Sequence, residues 1–343
     1  MKFDVVIGNP PYQDNTIGDN DSYAPPIYNI FLEEAYKAGD VVEMVHPARF
    51  LFNAGSTPKE WNKKMLNDEH LKILHYEPSS KKVFRNTDIK GGIVITYRDK
   101  KKCFGKIGLF TSFQELNEIY KKVVDKNPDC PCMCNIIYAA ESYHFTEVMH
   151  KEHPNVECML SKGHKYDLKS NVLDKLTNII FFDFETKGYV QIIGRKENQR
   201  KIMYVDKRYI TTPDNFNFYK VLLPNANGSG ALGEVLSTPL IGEPLIGHTQ
   251  TFLSVGKYAT KKEACNCMKY IKTKFARVML GILKVTQSNS RPVWKYVPLQ
   301  DFTDNSDIDW SKSIHEIDLQ LYKKYGLDEN EINFIETHVK EME

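Results

Sequence analysis

Apolar residues come early and close together in this chain. Phe3-Asp4-Val5-Val6-Ile7 is an apolar run with a single polar position, and Gly8 closes it. A short run rich in β-branched residues and bounded by glycine predicts a buried strand. Ile27, Ile30, Phe31 and Ala35 then recur at helical spacing, which predicts a helix over residues 28–37 that ends at Gly39. A second strand is predicted over 40–46, stopped by Pro47. Thr57-Pro58-Lys59-Glu60 reads as a helix start, with Thr57 as cap, Pro58 in the first turn and Glu60 completing a capping box. Two more strands are predicted over 71–76 and 92–97. Strand, helix, strand, helix and two strands predict an α/β fold. They amount to the C-terminal half of a Rossmann-like sheet rather than a whole one.

The pattern loosens after residue 110. A helix is predicted over 113–124, and strands over 179–182, 190–193 and 219–223. Residues 260–284 read as one long helix carrying Lys261, Lys262, Lys269, Lys272, Lys274 and Arg277. Two short helices, near 314–325 and 328–341, close the chain. Residues 15–26 are polar and loop-like, suited to closing over a bound nucleotide. The expected division is 1–110, 111–300 and 301–343: an α/β part, an α+β part and an acidic helical tail.

Composition adds charge and redox context. The net charge of +2 hides a segregation. Residues 151–300 hold 23 Lys and Arg against 12 Asp and Glu, whereas residues 301–343 hold 4 against 12. A basic middle reads as a polyanion-binding surface or as a solvated lysine-rich face, and charge alone leaves both open. Seven cysteines, an odd number in 343 residues, suit reduced thiols and a cytoplasmic setting. No run of 18 apolar residues and no signal-peptide layout is present, so no membrane partner is expected.

The candidate chemistry sits just after the first strand. In Asn9-Pro10-Pro11-Tyr12 the prolines hold Asn9 and Pro10 extended. The loop offers a side-chain amide, a backbone carbonyl and an aromatic ring at the edge where open α/β sheets bind ligands. Two acceptors on one exocyclic amine favour a pyramidal, more nucleophilic nitrogen, and Asn9 and Pro10 can supply them. Tyr12 can stack on a base that has left the duplex. A plain strand followed by a Pro-rich turn explains any Pro-Pro pair. The full string Phe-Asp-Val-Val-Ile-Gly-Asn-Pro-Pro-Tyr is more specific.

That string resembles the catalytic motif of adenine-N6 DNA methyltransferases from restriction–modification systems. The resemblance is closest to type II (type IIG-like) enzymes that join methylase and target-recognition regions in one chain. It implies catalytic roles for Asn9, Pro10, Pro11 and Tyr12, and S-adenosylmethionine as cofactor of the complete enzyme. It also implies that Phe84, in Lys82-Val83-Phe84, stacks on the base face opposite Tyr12; without the resemblance Phe84 is an ordinary core residue. Residues 111–300 then resemble a target-recognition region on double-stranded DNA, with Lys207, Arg208, Lys272, Lys274 and Arg277 as backbone contacts. A restriction endonuclease is an expected companion. Asn-Pro-Pro-Tyr also occurs in enzymes that methylate RNA adenines or protein glutamines, which is one alternative. The other is a DNA-recognition protein with a vestigial loop.

Two further motifs are weighed and set aside. Gly228-Ser229-Gly230-Ala231-Leu232-Gly233 matches Gly-x-Gly-x-x-Gly, but Pro239 and Pro244 interrupt any helix after it and no acidic residue falls near 253. Cys130-Pro131-Cys132-Met133-Cys134 lacks the pair spacing of structural zinc and reads as a reduced thiol cluster. The glycine loop and ribose carboxylate of the resembled family normally lie upstream of Asn-Pro-Pro-Tyr. An upstream segment or a companion subunit is therefore expected to carry the cofactor-binding half.

Overall fold

The computed structural model describes residues 2–14, 24–52, 56–85, 89 and 91–342. The loop expected over 15–26 therefore lies largely outside the described residues. The chain forms two compact units, Met1–Asn117 and Glu118–Glu343.

The first unit is a mixed α/β layer. Its strands are β1 (Phe3–Gly8), β2 (Gly39–Pro47), β3 (Leu71–Glu77) and β4 (Ile93–Asp99), in the order β1-β2-β4-β3. β1 runs parallel to β2, and β4 runs antiparallel to both β2 and β3. The parallel pair needs a crossover, which α1 (Tyr28–Ala38) supplies. α2 (Lys59–Asn67) links β2 to β3, and the short α3 (Ser80–Val83) precedes β4. The core takes Val6, Val42, Met44 and Val94 from the sheet, Tyr28, Leu32 and Ala35 from α1, and Trp61 and Met65 from α2.

Strand side chains alternate between faces, so Phe3, Val5 and Ile7 point away from that core. They are 50%, 52% and 74% exposed. This corrects the reading of residues 3–7 as a buried strand: among the described residues β1 pairs only with β2, and nothing covers its second face within the unit. The helix start also differs in detail. Thr57 donates its hydroxyl to Asn62 Oδ1 at 2.8 Å instead of capping the backbone of α2.

The second unit begins within α4 (Gln114–Tyr120), which the unit boundary crosses. Its larger sheet is ordered β11-β10-β13-β5, built from β5 (Ile137–Tyr138), β10 (Tyr219–Pro224), β11 (Leu240–Gly242) and β13 (Phe252–Tyr258). A three-stranded sheet, β12-β7-β8, joins β7 (Tyr189–Lys196) and β8 (Gln199–Asp206) as a hairpin, with β12 (Ile246–His248) parallel to β7. β6 (His144–Phe145) pairs with β9 (Ile210–Thr211). The short helices α5 (Glu147–Glu152) and α6 (Val172–Leu176) add Met149, Val172, Leu173 and Leu176 to a core with Val190, Ile192, Met203 and Val205. The strand expected over 179–182 is instead a turn. Phe182 alone bonds across to Tyr204.

The long helix expected over 260–284 is two helices, α7 (Lys261–Lys272) and α8 (Lys274–Gly281). Thr273 breaks it. Its backbone is extended, and its hydroxyl accepts from Ala276 N, which starts α8 as an N-cap. Two tail helices follow, α9 (Ile314–Tyr325) and α10 (Glu329–His338), each opened by a capping box. Both pack on α8. The cysteine reading also changes. Cys132 and Cys134 form a disulfide: Met133 between them opens a 3-10 turn, which holds their Cα atoms 5.3 Å apart. Among the described residues no His, Cys, Asp and Glu group is arranged to hold a metal ion, and no helix is long and apolar enough to cross a membrane.

Candidate active site

β1 delivers the Asn9–Tyr12 loop from the edge of its sheet. Gly8 lets the strand end close to β2: a Cβ there would meet Met44 Sδ at 3.1 Å. Asn9 and Pro11 are exposed, Pro10 is buried and Tyr12 is half-buried. Tyr12 O accepts from Ile27 N at 3.2 Å and Asp14 N donates to Pro25 O at 2.9 Å, so the loop is tied to the start of α1. Among the described residues neither the Asn9 side chain nor the Pro10 carbonyl has a hydrogen-bond partner.

Phe84 lies 72 positions from Tyr12 in sequence, yet the two ring centroids are 6.3 Å apart. The rings meet edge to face, at 64°. A base sandwiched between them needs nearly parallel rings, so one ring must turn before a base fits. The Tyr12 hydroxyl is buried with no partner among the described residues, and burial pushes its pKa up to about 12, so it stays neutral. His46, at the end of β2, is wholly buried. Nδ1 faces Pro47 O at 3.2 Å and Nε2 faces Thr96 Oγ1 at 2.9 Å. That pairing assigns the Nδ1–H tautomer, with Nε2 accepting from the hydroxyl. Burial holds its pKa down at about 4.

The loop at Gly228–Gly233 follows β10 but no helix follows it. Its backbone N–H groups already hold an anion of the chain itself. The Glu234 carboxylate accepts from Ser229 N at 2.8 Å and Gly230 N at 2.9 Å, and pairs with the buried Lys284 at 2.7 Å. Burial pushes that carboxyl up, but Lys284 and the two N–H groups together bring its pKa down to about 2. The glycines form an anion cradle, and its contents are internal.

The residues expected on DNA are scattered over the second unit. Lys207 is exposed beside β8. Arg208 is exposed but bonded to Glu152 and Asp206, each at 2.8 Å. Lys272 is half-buried at the end of α7, and Lys274 pairs with Glu336 at 2.5 Å. Arg277 is a correction to the expected DNA-facing surface, because it is interior and only 2% exposed. Its guanidinium donates to the carbonyls of Lys272, Thr273 and Lys340, and burial lowers its pKa to about 10. The neighbouring cations are engaged in the same way. Lys261 pairs with Glu243, Lys262 with Asp304, and Lys269 donates to Trp310 O and Lys312 O. The sequence reading passed over Arg195 and Arg200, which the β7–β8 hairpin sets directly opposite each other.

Residues 1–84 match the protein family described as Eco57I restriction-modification methylase. Over 95 residues the chain is 34% identical to an uncharacterized adenine-specific methylase of Mycoplasma pneumoniae (strain ATCC 29342 / M129 / Subtype 1), covering 27% of this chain and 22% of that protein. Two solved structures are similar over most of the chain. The type IIG restriction endonuclease BpuSI has 10% identity and a TM-score of 0.36, covering 97% of this chain and 52% of its own. The Type IIL restriction-modification enzyme MmeI in complex with DNA has 9% identity and a TM-score of 0.37, covering 98% and 56%. The chain thus spans about a fifth of the curated relative's length and about half of each structure. Asn9–Tyr12 lies within the matched residues 1–84.

Proposed function

We propose that this chain supplies the catalytic loop and the DNA-contacting part of a type IIG-like, S-adenosylmethionine-dependent adenine-N6 DNA methyltransferase. The observation that carries the reading is the meeting of Tyr12 with Phe84 beside two unclaimed acceptors, Asn9 Oδ1 and Pro10 O. In this reading the N-terminal part, 1–110, grips the extruded adenine. Asn9 and Pro10 accept from its two amine N–H bonds, and Tyr12 and Phe84 flank the ring. Residues 111–300 hold the duplex, and 301–343 brace them.

The described residues do not fit the cofactor. The one glycine loop that matches a nucleotide fingerprint is filled by Glu234. In this reading an upstream segment or a companion subunit carries the cofactor-binding half. The unpaired edge of β1 and its exposed Phe3, Val5 and Ile7 suit such a segment, because an apolar strand edge is a template for a further strand. A second reading, a DNA-recognition protein with an idle loop, draws on the edge-to-face closure of Tyr12 on Phe84.

Methyl incorporation into duplex DNA by the complete enzyme separates the two. Asn9→Ala is expected to lower the rate about 100- to 1,000-fold, the usual loss for one positioned hydrogen-bonding group. Duplex affinity is expected to stay unchanged, because Asn9 meets the amine only after extrusion. Full methylation by Asn9→Ala would overturn the assignment.

A further inference from the structure

The β7–β8 hairpin runs further than the sheet that holds it. Its pairing extends from Tyr189↔Asp206 to Lys196↔Gln199, while β12 accompanies β7 only as far as Ile193. The last pairs, Gly194↔Lys201, Arg195↔Arg200 and Lys196↔Gln199, form a two-stranded ribbon beyond the third strand. Glu197 and Asn198 close it, with φ of 50° and 59°. A two-residue turn with both φ positive matches the strand twist and keeps such a ribbon tight.

Like charges directly opposite each other destabilise a ribbon. Arg195 and Arg200 are such a pair, and both are exposed. Arg195 makes no hydrogen bond or ion pair among the described residues. Arg200 donates to Thr238 O at 2.8 Å and lies over the Phe252 ring, with no carboxylate partner among the described residues. The acids nearby are engaged or at the tip. Asp183 pairs with Lys201 at 2.6 Å, Asp174 accepts from Glu197 N, and the Glu197 side chain is exposed at the turn. Residues 187–208 hold seven Lys and Arg against two Asp and Glu. In α7 and α8, Lys262 and Lys274 have carboxylate partners, Lys269 donates to carbonyls as Arg200 does, and Arg277 is interior.

The geometry points to this ribbon as the element that enters the major groove of duplex DNA, with Arg195 and Arg200 meeting backbone phosphates. This rests on the proposed DNA methyltransferase reading and replaces α7 and α8 as its DNA-contacting surface. The major groove admits a two-stranded β-ribbon, and the guanidinium fork suits phosphate.

Fluorescence anisotropy of the full chain on a labelled mixed-sequence duplex, over a salt series, tests this. The double variant Arg195→Ala/Arg200→Ala is expected to bind at least about tenfold more weakly at low salt. Its log–log salt slope should be shallower by about 1 to 2, as each lost phosphate contact removes about 0.9. Arg195→Lys/Arg200→Lys should keep the slope, and Lys262→Ala should leave both quantities unchanged. A melt of the double alanine variant checks that it stays folded, since it loses the Arg200 contacts to Thr238 O and Phe252 along with the like-charge pair. Parent-like affinity and slope in the double variant would overturn the ribbon and leave the methyltransferase reading standing. A parent chain that ignores duplex at low salt would overturn the ribbon and the DNA-contacting part of that reading, while the Asn9 test of the catalytic loop would be unaffected.

Discussion

Two prolines decide more at Asn9–Tyr12 than the side chains do. They keep the Pro10 carbonyl out of any helix and hold it beside the Asn9 amide. Asn9 is exposed, so its loss should matter for chemistry and little for stability. Tyr12 should behave differently, because its ring is part of the core around Val6 and Tyr28 as well as a stacking surface. Tyr12→Ala should remove roughly 1–3 kcal/mol of base stacking. A 2-aminopurine at the target position should be bright with Asn9→Ala in the complete enzyme and dimmer with Tyr12→Ala. Equal brightness in the two variants would remove Tyr12 from the stack. Tyr12→Phe should be neutral or slightly stabilising, because the buried hydroxyl lost in the change has no partner.

Among the elements, β1 stands out for what it leaves open. It contributes Val6 to the core on one face and presents Phe3, Val5 and Ile7 on the other. An exposed apolar edge strand pairs with whatever strand it meets. The chain by itself is expected to self-associate with rising concentration, and Val5→Lys should suppress this in sedimentation velocity. Val5→Lys should leave the melting of the first unit within about 0.5 kcal/mol, since the side chain is half exposed already. An unchanged sedimentation profile would rule out the edge as the contact. At the α7–α8 junction, Thr273→Ala removes the cap of α8 and should cost about 1 kcal/mol in denaturant unfolding.

The molecule as a whole balances charge between distant stretches of sequence. Residues 251–300 hold ten Lys and Arg against one acidic residue, and the acidic tail folds back on them. Asp304 takes Lys262, Glu336 takes Lys274, and the carboxylate of Asp318 accepts from Lys274 N and Phe275 N at the start of α8. Two fully buried histidines, one in each unit, then weigh on stability in acid. His46 and His248 are both buried, and burial holds each pKa down at about 4 against an ordinary 6.5. The unfolded chain therefore binds more protons than the folded one between about pH 6.5 and 4. Their contribution is fully present above about pH 6.5 and is lost as pH falls towards 4, by about 3 kcal/mol for each histidine. Thermal melts from pH 7 to 4 should show falling stability that flattens when His46 and His248 are both replaced by Gln. A parallel fall in the double variant would assign the acid sensitivity elsewhere.

Local pattern was enough for the first unit's elements, because each rests on short-range rules. The run before Gly8, the helical spacing of Ile27 to Ala35 and the stop at Pro47 all act within a few residues. The Asn9–Tyr12 loop was legible for the same reason: prolines fix backbone wherever they stand. Three other features depended on what lies opposite a residue in space. Phe3, Val5 and Ile7 read as buried in a one-dimensional pattern, but burial requires a second layer, and the unit covers only one face of β1. The basic stretch in α7 and α8 read either as a surface for polyanions or as a solvated face, yet carboxylates and carbonyls from the tail, more than 30 positions away, take up much of its charge. Arg195 and Arg200 drew no reading from the sequence, and only the hairpin register sets them side by side. Charge and burial are properties of neighbours, and only the tertiary fold chooses neighbours that sequence keeps apart.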